Sequence, residues 1–165
     1  MPELQERIDR YLNERLTGYI GYYDRTAQRM KKRHLQTKGT AAVGAVLIPV
    51  VSNLPWQLEF GGVTVDVSSG GASIIGLAVA LILALEGVFH FKEQWQNYRG
   101  TEQFLLSQRF RFENRTDEYE SLESEDAFRL FVKRVEDAIL EENNVTLNIL
   151  GRAEPAKSPA PPKIP

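Results

Sequence analysis

The sequence has no cysteine and only two histidines, His34 and His90. Without thiols there is no disulfide framework, no thiolate nucleophile and no cysteine-ligated zinc, and two histidines do not make a polyhistidine metal centre. Phosphate-binding glycine loops and nucleophile elbows are missing as well, since Gly61-Gly62 and Gly70-Gly71 lack the strand-to-helix setting those motifs need. No catalytic residues, no metal and no cofactor are therefore expected, and the chain does not read as an enzyme. Its 165 residues and formal charge of −2 suit one domain with additions.

Charge is absent altogether from two stretches. Twenty uncharged residues separate Lys38 from Glu59 and nineteen separate Asp66 from Glu86, close to the roughly 20 a helix needs to cross hydrocarbon. Residues 72–91 hold eleven Leu, Ile, Val or Phe residues; at about −0.5 kcal/mol each they outweigh roughly +3 for Glu86. Residues 39–56 hold seven and carry Pro49 and Asn53, so this span is expected to insert as half of a hairpin. A cleaved signal peptide is not expected, because 38 mostly polar residues precede the first apolar run.

Orientation follows from the basic residues. Arg25, Arg29, Lys31, Lys32, Arg33 and Lys38 precede the first span and Lys92, Arg99, Arg109 and Arg111 follow the second, while residues 57–71 contain no Lys or Arg. Both termini are expected on the cytoplasmic side. The connection alternates through Leu58 and Phe60, then Gly61-Gly62, then Val63, Val65 and Val67, which predicts a small external β-hairpin. The basic run from Arg29 to Arg33, beside a span, points to anionic lipid and topology and away from nucleic acid.

Before the first span, Leu4, Ile8, Tyr11, Leu12, Leu16, Tyr19, Ile20 and Tyr23 recur at helical spacing, predicting an amphipathic helix over residues 3 to about 37. After the second, the sequence from Lys92 to about Arg115 can continue the span as one helix of about 65 Å from Ala72. Residues 114–123 read as a polar turn. A last helix starts near Ser124 and lines Phe128, Phe131, Val132, Val135 and Ile139 along one face. The predicted fold is an all-α membrane protein: cytoplasmic helix 1–38, spans 39–56 and 72–91 joined by the external loop 57–71, cytoplasmic helices 92–150 that bundle with the first, and a disordered Pro-rich tail 151–165.

Several residues stand out within this frame. Glu86 is an ionisable group in a span, which is costly and usually faces a partner or water. His90, four residues on, is expected on its helical face. Together they are candidates for a polar ring at the mouth of an oligomeric pore; the alternative has Glu86 near the span end, paired with a base such as Lys38. Ala72, Gly76, Ala80 and Ala84 form a four-residue repeat of small side chains, expected to pack closely on another membrane helix. Trp95 and Tyr98 suit an interfacial belt, and Arg99 can pair with Asp24 or Glu102.

Tyr22-Tyr23-Asp24 with Ala27 ahead of the basic run, Ile48-Pro49 in the first span, Glu86-Gly87 near the end of the second, and Trp95, Tyr98-Arg99, Thr101 and Glu102 after it form an ordered set. Over about residues 15 to 142 the chain resembles the SLATT-like two-transmembrane family of bacterial membrane proteins, including its branch classed as a domain of unknown function. The resemblance implies a pore-forming effector of the bacterial inner membrane, in conflict systems where a nucleotide-sensing partner triggers it. No sensor or enzymatic module is read in these residues, so a trigger is expected from a separate sensor protein, a small ligand or the membrane itself. A two-helix chain cannot enclose an aqueous path alone, so the expected partners are the lipid bilayer and further copies of the chain in a homo-oligomer. The second expectation is a non-conducting membrane scaffold whose cytoplasmic helices recruit partners.

Overall fold

The computed structural model describes residues 2–55, 57–60 and 62–151, and the chain is nearly all helical. Its elements are α1 (Pro2–Arg10), a π-helical turn (Tyr11–Leu16), α2 (Thr17–Ser52), β1 (Gln57–Phe60), β2 (Val63–Asp66), α3 (Val67–Phe89), α4 (Phe91–Asn114), a 3-10 turn (Asp117–Tyr119) and α5 (Ser124–Gly151). The chain divides into two compact units, residues 30–91 and the remainder on either side of them.

In the unit formed by the two ends of the chain, α5, α4 and the N-terminal helical residues share a core. Leu16, Tyr23, Leu105, Tyr119, Ala127, Phe131 and Val135 are essentially inaccessible. Phe112 stacks on Phe131 with ring centroids 4.4 Å apart, and Tyr11 meets Phe131 edge-on at 6.0 Å. On α5, Phe128, Phe131, Val135, Ile139 and Glu142 are buried, steps of three and four residues that keep one face of the helix on its neighbours.

The N-terminal stripe Leu4, Ile8, Leu12, Leu16 steps by four each time. Each such step advances about 40° beyond a full turn of a regular α-helix, so the stripe would wind off the core. The wider π turn over Tyr11–Leu16 takes up that excess and leaves both Leu12 and Leu16 buried. Thr17 closes the turn by donating from its hydroxyl to the Leu12 carbonyl at 2.8 Å.

The segment 114–123 holds more than a polar turn. Tyr119 is fully buried, packs edge-on against Phe112 and donates to Gln108 Oε1 at 2.7 Å. A buried hydroxyl left without its partner would cost about 1–3 kcal/mol, which explains a glutamine in the core of α4.

In the unit of residues 30–91, α2 and α3 run antiparallel. Their facing positions are Met30, His34, Thr37, Ala41, Gly44, Ile48 and Val51 on α2, and Ser68, Ala72, Ile75, Val79, Ile82 and Glu86 on α3. Gly44 is the point of closest approach, since a Cβ there would collide with Val79 Cγ2. The expected packing repeat Ala72, Gly76, Ala80, Ala84 is only half used: Ala72 and Gly76 border α2, while Ala80 and Ala84 are exposed. The reason is the same 40° drift per four-residue step, against a seam that alternates three and four. A short antiparallel ladder pairs β1 with β2, Gln57 opposite Asp66 and Phe60 opposite Val63.

Two predicted boundaries move. Helix α2 runs on past Lys38 through Pro49 to Ser52, with no break at the first apolar run. The second helix, whose sequence could continue past the span, is interrupted at His90, whose φ of 48° lies in the left-handed region; histidine tolerates that region better than most residues. The tail from Arg152 to Pro165, the end of the first span at Trp56 and the turn residue Gly61 lie outside the described residues.

Phe131→Ala removes the ring on which Phe112 stacks. It is expected to destabilise the helical unit by about 3–5 kcal/mol, read as a lower denaturant midpoint by circular dichroism of the full chain in detergent.

Candidate functional site

Among the described residues, the only carboxylate buried between the two apolar helices is Glu86, which is 8% exposed at the end of α3. It faces α2, where His34 and Lys38 stand one turn apart. His34 Nδ1 lies 2.6 Å from Glu86 Oε1, and Lys38 Nζ lies 3.2 Å from Oε2. The His34 side chain is 16% exposed and that of Lys38 57%. One carboxylate thus engages two basic groups, the first sheltered and the second reaching out to solvent along its apolar stem.

His90 follows the last residue of α3 with a φ of 48°, and its backbone N–H still donates to the Glu86 carbonyl at 2.9 Å. His34, which carried no spacing signal in the sequence, is the histidine at the carboxylate. Only the antiparallel pairing of α2 with α3 brings it to Glu86, 52 residues away in the sequence.

The family-motif residues of the other unit form a second cluster. Tyr23 is 1% exposed and stacks on Tyr98 with centroids 6.2 Å apart, while Tyr22 meets both rings edge-on. Tyr98 is therefore a core residue, a correction to its expected place in an interfacial belt. Trp95 on α4 is half-buried. Arg99 Nη1 bridges Asp24 at 3.3 Å and Glu102 at 2.5 Å, so both expected partners are engaged at once. Buried Glu142 accepts from Asn97 at 3.2 Å and Thr146 at 2.7 Å. Burial, with the Glu142 carboxylate beside it, holds the Tyr23 hydroxyl in its protonated form well above the ordinary tyrosine range. Pro49 sits inside α2, and Asn53 donates from its amide to the Pro49 carbonyl at 2.7 Å.

A third cluster fixes the N-terminal helix to α5. Arg15 grips Glu136 through two parallel bonds of 2.6 and 2.7 Å, and Tyr11 donates to the same carboxylate at 2.9 Å. The Arg15 guanidinium is the chief cause that holds the Glu136 carboxyl below its ordinary value of 4.5. Burial and the Glu136 bond push the Tyr11 hydroxyl upward.

Two helices of the chain contain an eighteen-residue window long and apolar enough to cross a membrane, and 6% of each window is buried within the chain. No group of three metal-ligating side chains occurs among the described residues. Fold and site together define a helical protein with two candidate membrane helices, tied at one end by a buried carboxylate between two bases. Residues 19–127 match the family described as protein of unknown function (DUF4231), and the chain belongs to that family. No curated protein and no solved structure matches it.

Glu86→Ala leaves the sheltered His34 without its partner, a loss of about 1–3 kcal/mol, whereas Lys38→Ala removes an exposed pair worth about 1 kcal/mol or less. The Glu86 variant is expected to show the larger fall in thermal midpoint in detergent. Stability drawn from Glu136 is present above pH 4.5 and is lost as the pH falls through its lower folded-state value. Acid titration followed by circular dichroism is expected to show that loss, and Glu136→Gln to lack it.

Proposed function

We propose that this protein is an integral membrane protein of the bacterial inner membrane whose copies assemble into a pore or ion channel. The observation that carries the reading is the outer surface of the apolar helices. Val43, Val46 and Val50 on α2 and Ile74, Leu77, Leu81 and Val88 on α3 are 51 to 73% exposed, with no other part of unit 30–91 to cover them. A soluble core helix of this composition would be buried; these side chains need hydrocarbon as their solvent.

The arrangement of basic residues supports cytoplasmic termini and an external 57–71 connection. The resemblance to the SLATT-like two-transmembrane family supports the effector role, with a separate sensor protein as trigger. Two helices supply one seam and no lumen, so conduction requires self-association, with α3 lining the path and the Glu86 end forming its mouth. The second reading is a membrane-anchored scaffold that conducts nothing. It is favoured by the pairing of Glu86 with His34 and Lys38, which already satisfies within one chain the carboxylate a pore would expose.

Reconstitution into liposomes separates the two. A pore is expected to raise potassium flux in proportion to protein, and Glu86→Gln to change that flux several-fold without preventing insertion. Wild-type protein that inserts, and leaves flux at the level of empty vesicles across pH 5 to 8, overturns the pore and leaves the scaffold.

A further inference from the structure

Helix α2 carries six Lys or Arg residues and a single acid, Asp24. That acid is already engaged: it accepts from Gln28 at 2.8 Å and is bridged to Arg99 at 3.3 Å. Of the bases, Lys38 is held by Glu86 and Arg33 lies over the Phe91 ring, 5.9 Å from its centroid. Arg25, Arg29 and Lys32 are different. All three are exposed, and none has an ion pair or a hydrogen bond with any described residue.

These three bases share one face of the helix, since steps of four and then three residues keep them within about 60° of one another. Lys32 stands two residues before His34, about 160° around from the seam with α3, so this face looks outward. One turn beyond Lys32 the same side becomes apolar. Leu35, Val43 and Val46 are 57 to 67% exposed there. From Leu35 to Val46 the helix rises about 16 Å, close to the ~15 Å that one leaflet contributes to a hydrocarbon core of ~30 Å.

Unpaired bases followed by one leaflet's length of exposed aliphatic side chains reproduce the order of an acidic phospholipid, from phosphate to acyl chain. From this we infer that the outward face of α2 binds an anionic glycerophospholipid. Arg29 and Lys32 hold its phosphate, with Arg25 one turn behind them, and its chains lie on Leu35, Val43 and Val46. The inference rests on the membrane reading proposed above and adds the class of lipid that this face selects. A zwitterionic headgroup would bring its ammonium to a face with no acid to receive it, whereas each base close to an anionic surface adds to the attraction. Nucleic acid also offers phosphate, but it would leave the aliphatic half of the face uncovered.

The test uses the full chain in detergent, titrated with phosphatidylglycerol or with phosphatidylcholine and read by native mass spectrometry. Phosphatidylglycerol is expected to be retained about tenfold more tightly or better, the size expected of two or three bases. The triple variant Arg25→Gln, Arg29→Gln, Lys32→Gln is expected to bring the two lipids within about twofold of each other. Arg7→Gln, Arg10→Gln, Arg129→Gln removes the same charge from a different part of the chain and is expected to keep the preference; its loss there as well makes the preference one of bulk charge and overturns the site. Neither inorganic phosphate nor a short single-stranded RNA, in large excess, is expected to displace the lipid, and displacement by either assigns the face to that ligand instead. Wild-type protein that inserts into vesicles of phosphatidylcholine, alone or mixed equally with phosphatidylglycerol, yet retains both lipids alike overturns this site and leaves the membrane reading standing. Protein that inserts into neither vesicle overturns both.

Discussion

Two helices can bury only one stripe each against the other. In α2 and α3 that stripe is fully used: Ala41, Gly44 and Ile48 face Ile75, Val79 and Ile82 along one seam, and Gly44 draws the backbones together until a methyl group would not fit. On the outward faces Val43, Val46, Leu47 and Val50 of α2 and Ile74, Leu77, Leu81 and Leu85 of α3 are exposed. A folded chain does not tolerate so much unpartnered apolar area in water. The membrane reading proposed for this pair rests on the geometry of a two-helix contact more than on run length.

The same constraint makes the ends of the seam matter. A carboxylate buried between two apolar helices needs compensation, and Glu86 receives it from both His34 and Lys38. Because these bases are one turn apart on α2, they also fix the register of the antiparallel pair. A slip of one turn would carry His34 off Glu86, so the polar end specifies what the interchangeable aliphatic side chains along the seam cannot. In the helical bundle Arg15 and Tyr11 on Glu136, and Arg99 between Asp24 and Glu102, tie neighbouring helices or helical turns in a similar way. The apolar surface supplies the drive, and a few charged groups at defined depths choose the alignment.

What could be read from the sequence divides along that line. Periodic apolar residues disclosed the helices, since burial repeats locally: the face of α5 from Phe128 to Ile139 and the two uncharged runs needed no partner to be seen. Features that depend on a second segment were hidden. His34 acquires its place only when α2 folds against α3, Tyr119 is buried only because Phe112 and Gln108 lie across from it, and the π turn at Tyr11–Leu16 answers a mismatch between sequence period and helix pitch. The small-residue repeat coincides only in part with the α2–α3 seam, for a related reason. Four-residue spacing is conspicuous in a sequence, yet the seam advances by three and four in turn, so Ala80 and Ala84 fall outside it. The break at His90 had no signal at all, as no glycine or proline marks it.

A buried carboxylate already satisfied by two bases is stable where it is, which weighs on how such a protein could open. For Glu86 to face water in an assembly, its bonds to His34 and Lys38 must be exchanged for others of similar strength, or α3 must turn relative to α2. Val79 sits against the backbone of Gly44, so a rotation of α3 would change that contact. Lys38, more than half exposed, is the partner most easily lost, and His34 the one that holds. In the pore proposed above, an opening that exposes Glu86 would have to release the exposed Lys38 from Oε2 and the sheltered His34 from Oε1.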